Sequence, residues 1–351
     1  KEGDACLSPK GEFASPPQSM PVQREAEGRE RLSPQPLILA TGRVGGGGCS
    51  SSEAANALSL PPMSSLIQVL SSGVAIGCVY GLVALSFVLI YKATEAVSFM
   101  QGELLMLGAF AAVALSFGLG WPLWLAALSA VGLLGLLGAG LERLVLRRAI
   151  GQPHLVAVLL TFGLGLMMRG AVTSVPAASH DMYRLPFADR VLEIGALALS
   201  LSHLLVIVAT VLLAVLLTAF FRLTRAGLAL RACSEDARMA ALMGVPVASM
   251  HTLAWALGAA LAAFAGMLLA PITFVHLNMG LIALKAFPAA VLGGMSSLPG
   301  ALLAGIFLGV AEALAGYLLP EGFKDVVPYA LLMLALLLFP AGMSGRAQVR
   351  R

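Results

Sequence analysis

Charge is what this chain has least of. Asp, Glu, Lys and Arg make up 11% of its 351 residues, while hydrophobic residues make up 59%. A soluble domain carries roughly 25% charge. This inventory cannot cover a water-facing surface, so the chain reads as an integral membrane protein. Strict alternation of polar and apolar residues is also missing, which argues against a closed β-barrel. The four cysteines, Cys6, Cys49, Cys78 and Cys233, are scattered, with neither metal-ligand spacing nor an evident disulfide partner. No H-E-x-x-H occurs, and no Ser/His/Asp set can be assembled from five dispersed histidines, so an intramembrane enzyme is disfavoured. No G-x-x-x-x-G-K-[ST] loop is present either. The chain has no phosphate cradle of its own, so energy from ATP would have to come through a partner. No cofactor and no metal are expected. The modest net charge of +4 lies in loops and at the C-terminus, which argues against a nucleic-acid partner.

What is present is a series of long apolar runs. Residues 1–62 stand apart from them, rich in Pro, Ser, Gly and mixed charge, with four glycines at 45–48. Such a segment cannot bury enough apolar surface to fold, and its PLILA run is too short for a signal peptide. The expectation is a disordered extension, with a mis-called start near Met63, ahead of a transmembrane domain over 63–351. The first span, 66–90, carries Gly73, Gly77 and Gly81, a ladder of small residues that lets another helix approach closely. A polar stretch follows, with Thr94, Glu95, Ser98, Gln101 and Glu103 beside an apolar run that continues to Phe117. Polar groups at that depth suit a helix broken near Gly102, with irregular backbone lining a cavity.

Further spans are read over 121–141, 155–175, 201–221, 251–270 and 326–339, with a solvated external loop at 176–193. Between 271 and 300, Pro271, Pro288, Gly293–Gly294 and Pro299–Gly300 interrupt apolar sequence. Gly102 with Glu103 in one half, and Gly293 with Gly294 in the other, are read as corresponding breaks of an internal repeat, which would point to a pathway near the midplane. Glu103 and Glu312 are candidate intramembrane carboxylates. Arg169 and Lys285 are read as snorkelling to headgroups. Basic clusters at 143–148, 222–238 and 346–351 set the cytoplasmic side. The fold class is all-α, a polytopic helical membrane protein of about eight or nine spans with discontinuous helices.

The stretch 221–247 organises the rest. It carries Arg222, Arg225, Arg231 and Arg238 against Glu235 and Asp236, between two apolar segments, which places it in the cytoplasm. A short helix is predicted inside it. Ser234 is its N-cap, Glu235 and Asp236 occupy the first turn, and Gly244 is the left-handed stop before Pro246. At about ten residues, or ~15 Å, it is too short to span. Its role is to present a surface of small and apolar residues, Ala237 and Ala240 among them, to something in the cytoplasm.

Three segments carry a resemblance. RACSEDARMAALMGVPV looks like the coupling loop of permeases in branched-chain amino acid ABC importers, the LivH-like subunit in particular. AVSFMQGE resembles that family's N-F-A-x-G-E segment, with Ser98 where Asn is usual and Met100 where Ala is. KAFPAAVLGGMSSLPGALLAG matches a third family segment. The resemblance covers nearly all of 63–351. It implies an inner-membrane, multi-pass permease without catalytic chemistry of its own. The implied partners are a homologous second permease (LivM-like), two ABC ATPases and a periplasmic substrate-binding protein. It also implies alternating access driven through the coupling helix, with branched-chain or related small amino acids as substrates. Ser98, Gln101, Gly102, Glu103, Gly293 and Gly294 are read from the breaks as lining the pathway, and of these Gln101, Gly102 and Glu103 fit the family pattern. Arg231, Ser234, Glu235, Asp236, Ala237, Ala240 and Gly244 would form the ATPase-coupling helix. Two alternatives stay open: a stand-alone secondary carrier using Glu103 as its coupling carboxylate, and an ABC permease for urea or short amides.

Overall fold

The computed structural model describes residues 63–149, 152–174, 191–194, 197–320 and 322–338. The predicted extension 1–62, most of the external loop and the basic C-terminus lie outside the described residues.

Eleven helices carry the described chain: α1 (Met63–Thr94), α2 (Gln101–Val113), α3 (Leu123–Leu144), α4 (His154–Thr173), α5 (Leu201–Leu223), α6 (Arg225–Glu235), α7 (Ala237–Leu242), α8 (Val247–Thr273), α9 (Leu281–Gly293), α10 (Leu298–Leu318) and α11 (Phe323–Leu338). A π-helical turn, Ala114–Gly118, extends α2, and 3-10 turns occur at Leu146–Ala149 and Leu277–Gly280. The departure from an all-α chain is a small antiparallel hairpin, β1 (Val191–Ile194) with β2 (Leu197–Ser200), in which Val191 is opposite Ser200. Among the described residues seven helices are long and apolar enough to cross a membrane, namely α1, α2 with its π extension, α3, α4, α5, α8 and α10. The chain is therefore a polytopic α-helical membrane protein. The expected count of eight or nine is reached only by adding α9 and α11, which have 13 and 16 residues. At ~1.5 Å per residue neither is long enough to cross fully without help from its flanks.

Small residues set the packing. The glycine ladder on α1 meets Gly305, Gly309 and Ala313 of α10: a Cβ built on Gly309 would sit 2.3 Å from the Cα of Gly77. In a membrane, where water drives no helix association, such close backbone approach supplies van der Waals contact that larger residues would prevent. Gly135 and Gly138 of α3 do the same against Ala256, Ala259 and Ala260 of α8. Replacing Gly309 with leucine is expected to force α1 and α10 apart, at a cost of about 1–3 kcal/mol or more. A lowered melting temperature in detergent, with a Leu303→Ala control on the exposed face of α10 unchanged, is the check.

The two glycine-lined pairs belong to a repeat. In the first half a long helix (α1) ends, the chain breaks over 95–100, and a short helix (α2) begins. In the second half α8 ends, the chain breaks over 274–280, and α9 begins. The breaks match in detail. Glu95 and Phe274, each the first residue past its long helix, have φ of 54° and 62°. Each donates its N–H back into the helix, to Tyr91 O at 2.8 Å and Ala270 O at 3.0 Å. Left-handed backbone at a non-glycine residue costs of order 1–3 kcal/mol and persists only where the surroundings fix it. The halves run in opposite directions. The end of α1 approaches the Arg-rich segment, where Lys92 feels the charges of Glu235 and Arg231. α8 starts from that segment and runs away from it. Reading Gly293–Gly294 as the partner of Gly102–Glu103 was therefore wrong. The second break is 274–280, and Gly293 and Gly294 form the turn at the other end of α9, where Gly294 has φ 87°.

Candidate translocation site and coupling surface

The two breaks converge. A Cβ on Gly102, in the first turn of α2, would lie 2.3 Å from the carbonyl oxygen of Gly280, which immediately precedes α9. Only glycine allows this contact, and it brings the N-terminal ends of two half-helices together inside the bundle. Neither end has a side-chain cap. The first turn of α2 turns the positive end of its dipole toward this contact, whereas α9 is continued backwards by the 3-10 turn Leu277–Gly280, so that the Leu281 N–H already donates to Asn278 O.

Around this junction the charges are arranged by α4. Arg169 places Nη1 3.6 Å from Glu103 Oε1, and its Nη2 donates to the Leu277 carbonyl at 3.1 Å and to Asn278 Oδ1 at 2.9 Å. One guanidinium thus ties the start of α2 to the second break. Lower on α4, Thr161 Oγ1 accepts from the Phe99 N–H at 3.3 Å. Ser98 and Gln101 are 1% and 0% exposed. Ser98 Oγ, both amide atoms of Gln101 and Glu103 Oε2 have no hydrogen-bond partner among the described residues. Unmatched buried polar atoms cost about 1–3 kcal/mol each.

Cavities open at opposite ends of the bundle. One of about 320 Å³ is lined by Thr94, Glu95, Glu142, Thr161 and Trp255. The other, about 700 Å³, is lined by Tyr80, His203, Lys285, Glu312 and Asp325 among others. In the second, Lys285 Nζ donates to Glu312 Oε1 at 2.8 Å and to Asp325 Oδ1 at 2.6 Å, and the Tyr80 hydroxyl donates to Glu312 Oε2 at 2.6 Å.

The Arg-rich segment is two helices at an angle. Thr224 caps α6 by accepting from the Gly227 N–H at 3.0 Å. Gly227 itself seats α6 on α5, since a Cβ there would sit 2.3 Å from the Phe220 carbonyl oxygen. Asp236 caps α7, its Oδ1 accepting from the N–H groups of Arg238 and Met239 at 2.8 and 3.0 Å. α7 stops at Gly244, φ 83°, where Gly244 N–H donates to Ala241 O and Val245 N–H to Ala240 O, both at 3.0 Å. That paired closure is a Schellman motif. Leu228, Met239, Leu242 and Met243 stand exposed on this surface, the last two at 81% and 85%.

A family described as the permease component of branched-chain amino acid transport systems matches this chain over residues 69–336. The chain belongs to that family. The permease is 32% identical over 300 residues to the high-affinity branched-chain amino acid transport system permease protein LivH of Escherichia coli, covering 81% of this chain and 97% of that one. It is 33% identical over 307 residues to BraD of Pseudomonas aeruginosa, covering 83% and 100%. To a probable LivH of Methanocaldococcus jannaschii it is 29% identical over 279 residues, covering 75% and 88%.

Several readings of the permease sequence need correcting. The short helix was expected to start at Ser234, but Ser234 lies in the last turn of α6 and its hydroxyl donates back to Arg231 O at 2.8 Å. The cap is Asp236, because its short carboxylate reaches two N–H groups. α7 has six residues rather than about ten. Arg231 and Glu235 belong to α6. Ala240 is buried against the permease itself, so it is not part of the outward surface, whereas Ala237 is half-buried at its edge. Gly102 and Glu103 come together with Gly280 at the junction, and Ser98 and Gln101 are buried beside them in the chain. Gly293 and Gly294 do not, since a Cβ on Gly293 would meet Gly300 and Ala301 instead. Arg169 and Lys285 do not snorkel, and Glu312 is not alone.

Sequence reading also missed a clasp at the Arg-rich end. Glu142 of α3 is wholly buried and accepts from Arg147 Nε and Nη2, both at 3.2 Å, and from the Thr252 hydroxyl. Arg147 also donates to Ala248 O at 3.2 Å. The first turns of α8 are thus fastened to α3 just beyond α7. An E-R pair five residues apart was visible in sequence, but its third partner lies 110 residues away. Replacing Arg147 with methionine leaves a buried carboxylate without its cation and is expected to destabilise the permease by about 3–5 kcal/mol. Thermal unfolding in detergent checks this, and the double variant with Glu142→Gln is expected to recover part of the loss.

Proposed function

We propose that this chain is the membrane-spanning permease of an ABC importer in the cell inner membrane. Its substrates are branched-chain amino acids or closely related small amino acids. It works beside a homologous second permease, two ABC ATPases and a periplasmic binding protein. α6 and α7 dock on an ATPase through Leu228, Met239, Leu242 and Met243. The substrate passes at the junction of α2 and α9, beside Ser98, Gln101, Gly102 and Glu103.

The observation that carries this reading is a short connection from the exposed surface to the second break. α7 leads within four residues into α8, and α8 ends at Thr273, where the second break begins with Phe274. A push on the exposed apolar surface is delivered along one helix to the junction. Apolar side chains this exposed at a water-facing helix pair are a protein-binding signature rather than a folding one. The family and the Escherichia coli and Pseudomonas aeruginosa relatives, named as components of transport systems, support it over a stand-alone carrier, which has no use for such a surface. Reconstitution tests it. Vesicles holding this chain, its second permease, both ATPases and loaded binding protein are expected to accumulate leucine when ATP is supplied. Omitting the ATPases is expected to abolish accumulation. Accumulation by this chain alone would overturn the reading.

A further inference from the structure

We propose that the groove between α5 and α10 is a binding site for one anionic phospholipid of the cytoplasmic leaflet, with its acyl chain along α5 and its phosphate on Arg222 and Arg225. The site shares no residue with the α2–α9 junction and stands whether or not the transport reading does.

Shape, depth and charge carry it together. α5 and α10 each pack on α1. Between them lies a groove of about 440 Å³, lined by Val211, Ala214, Thr218 and Ala219 of α5 and Leu302 of α10 among others. The α5 residues recur at helical spacing, so they form one stripe, and the two alanines hollow it. Thr218 turns its hydroxyl back onto the Ala214 carbonyl at 2.7 Å, so the stripe offers no polar group to a solute. From Val211 to Arg222 the stripe runs ~17 Å at ~1.5 Å per residue, close to the ~15 Å of one leaflet's hydrocarbon. Arg222 closes the groove at its Arg-rich, cytoplasmic end. Arg225 opens α6 three positions later. Both are exposed, and neither guanidinium has a hydrogen bond or a carboxylate partner among the described residues. Glu235 and Asp236, the acids of this segment, stand at the other end of α6. Two unneutralised cations at headgroup depth attract a phosphate, and an apolar channel leading away from them takes its acyl chain.

A phosphate between Arg222 and Arg225 bridges the last turn of α5 and the first turn of α6. Thr224 and Gly227 already fix that corner, and the lipid adds a second tie. It thereby sets the angle at which α6 holds the exposed Leu228. A soluble phosphate meets the same arginines but has no methylenes to bury in the groove. A zwitterionic lipid fills the groove, but its own cation offsets its phosphate at the arginines.

The test uses the full chain purified in detergent. Phosphatidylglycerol and phosphatidylcholine with identical acyl chains are added in equal amounts, and bound lipid is counted by native mass spectrometry. One retained phosphatidylglycerol is expected, preferred over phosphatidylcholine by about 30-fold, which is about fivefold for each arginine. Arg222→Ala combined with Arg225→Ala is expected to abolish the preference. Arg143→Ala, which removes the same charge from the exposed end of α3, is expected to leave it intact. Thr218→Trp fills the groove with both arginines in place and is expected to abolish retention of both lipids. Thr218, Arg222 and Arg225 are all exposed, so the melting temperatures of these variants without added lipid should match the parent's. A phosphatidylglycerol with a photoactivatable acyl chain should label the stripe 211–222. Equal retention of the two lipids, labelling confined to other helices, or a preference that survives the double variant overturns the proposal. Displacement of the lipid by millimolar inorganic phosphate also overturns it, because the site would then be one for a soluble anion.

Discussion

Valine in place of Gly102 is expected to stop transport without dismantling the importer. The Cβ alone would lie 2.3 Å from the Gly280 carbonyl oxygen and 3.2 Å from Ala283 Cβ. Backbone on one side and a packed half-helix on the other leave no flexible side chain to yield. The starts of α2 and α9 must part by ~1 Å or more, a displacement that elsewhere costs about 100-fold in a positioned reaction. Leucine uptake by the complete importer in proteoliposomes should drop by about that factor. Co-purification with the ATPases should persist, because α6 and α7 lie at the other end of α8. Gly102→Ala should give an intermediate loss. Normal uptake by Gly102→Val would mean that the junction is not on the substrate's route.

The second large effect is expected at the opposite end of the lever. Leu242 and Met243 are 81% and 85% exposed and make no contribution to the permease core. Replacing both with glutamate should change the permease's own stability by no more than about 0.5 kcal/mol, as surface changes usually do. Buried against an ATPase, two uncompensated carboxylates are ruinous: loss of one central anchor typically costs at least about 2 kcal/mol, or some 30-fold in affinity. The ATPases should fail to co-elute with the variant, and uptake should vanish with them. Retained co-elution would remove α7 from the docking surface. Ala240→Glu should behave differently. That residue is buried in the permease, so its charge should lower the melting temperature first.

The contrast between these sites explains what was legible from sequence. Everything that depends on neighbours in the chain was readable. The apolar runs gave the membrane class. Gly73, Gly77 and Gly81 announced close packing on α1. Gly244 and Pro246 marked the end of α7. The polar stretch at 94–103 announced a break. What depends on residues far apart was not readable. Tyr80 finds Glu312 across 232 positions, and Arg169 finds Asn278 across 109, so single long cations looked like snorkelling ones. The second break was missed for a different reason. Nothing between Phe274 and Gly280 resembles a helix terminator as strongly as Gly293–Gly294 does. The chain takes its left-handed turn at Phe274, a residue that rarely adopts one. Only the fold, which holds that turn in place, reveals it. The cap of α7 shows the limit of local rules: Ser234 and Asp236 are both good N-caps, and the amphipathic continuation of α6 through Glu235 decides between them.

The central claim is that force applied at α7 separates the starts of α2 and α9. Spin labels on Ala96 and Leu277, one in each break, report this most directly when pulsed EPR distances are taken on the complete importer in vesicles. The account predicts one distance distribution without nucleotide and a longer one when ATP is trapped on the ATPases. The Leu242→Glu/Met243→Glu permease should remain at the shorter distance under both conditions. A distribution that does not change with nucleotide, in an importer that still carries leucine, would contradict it.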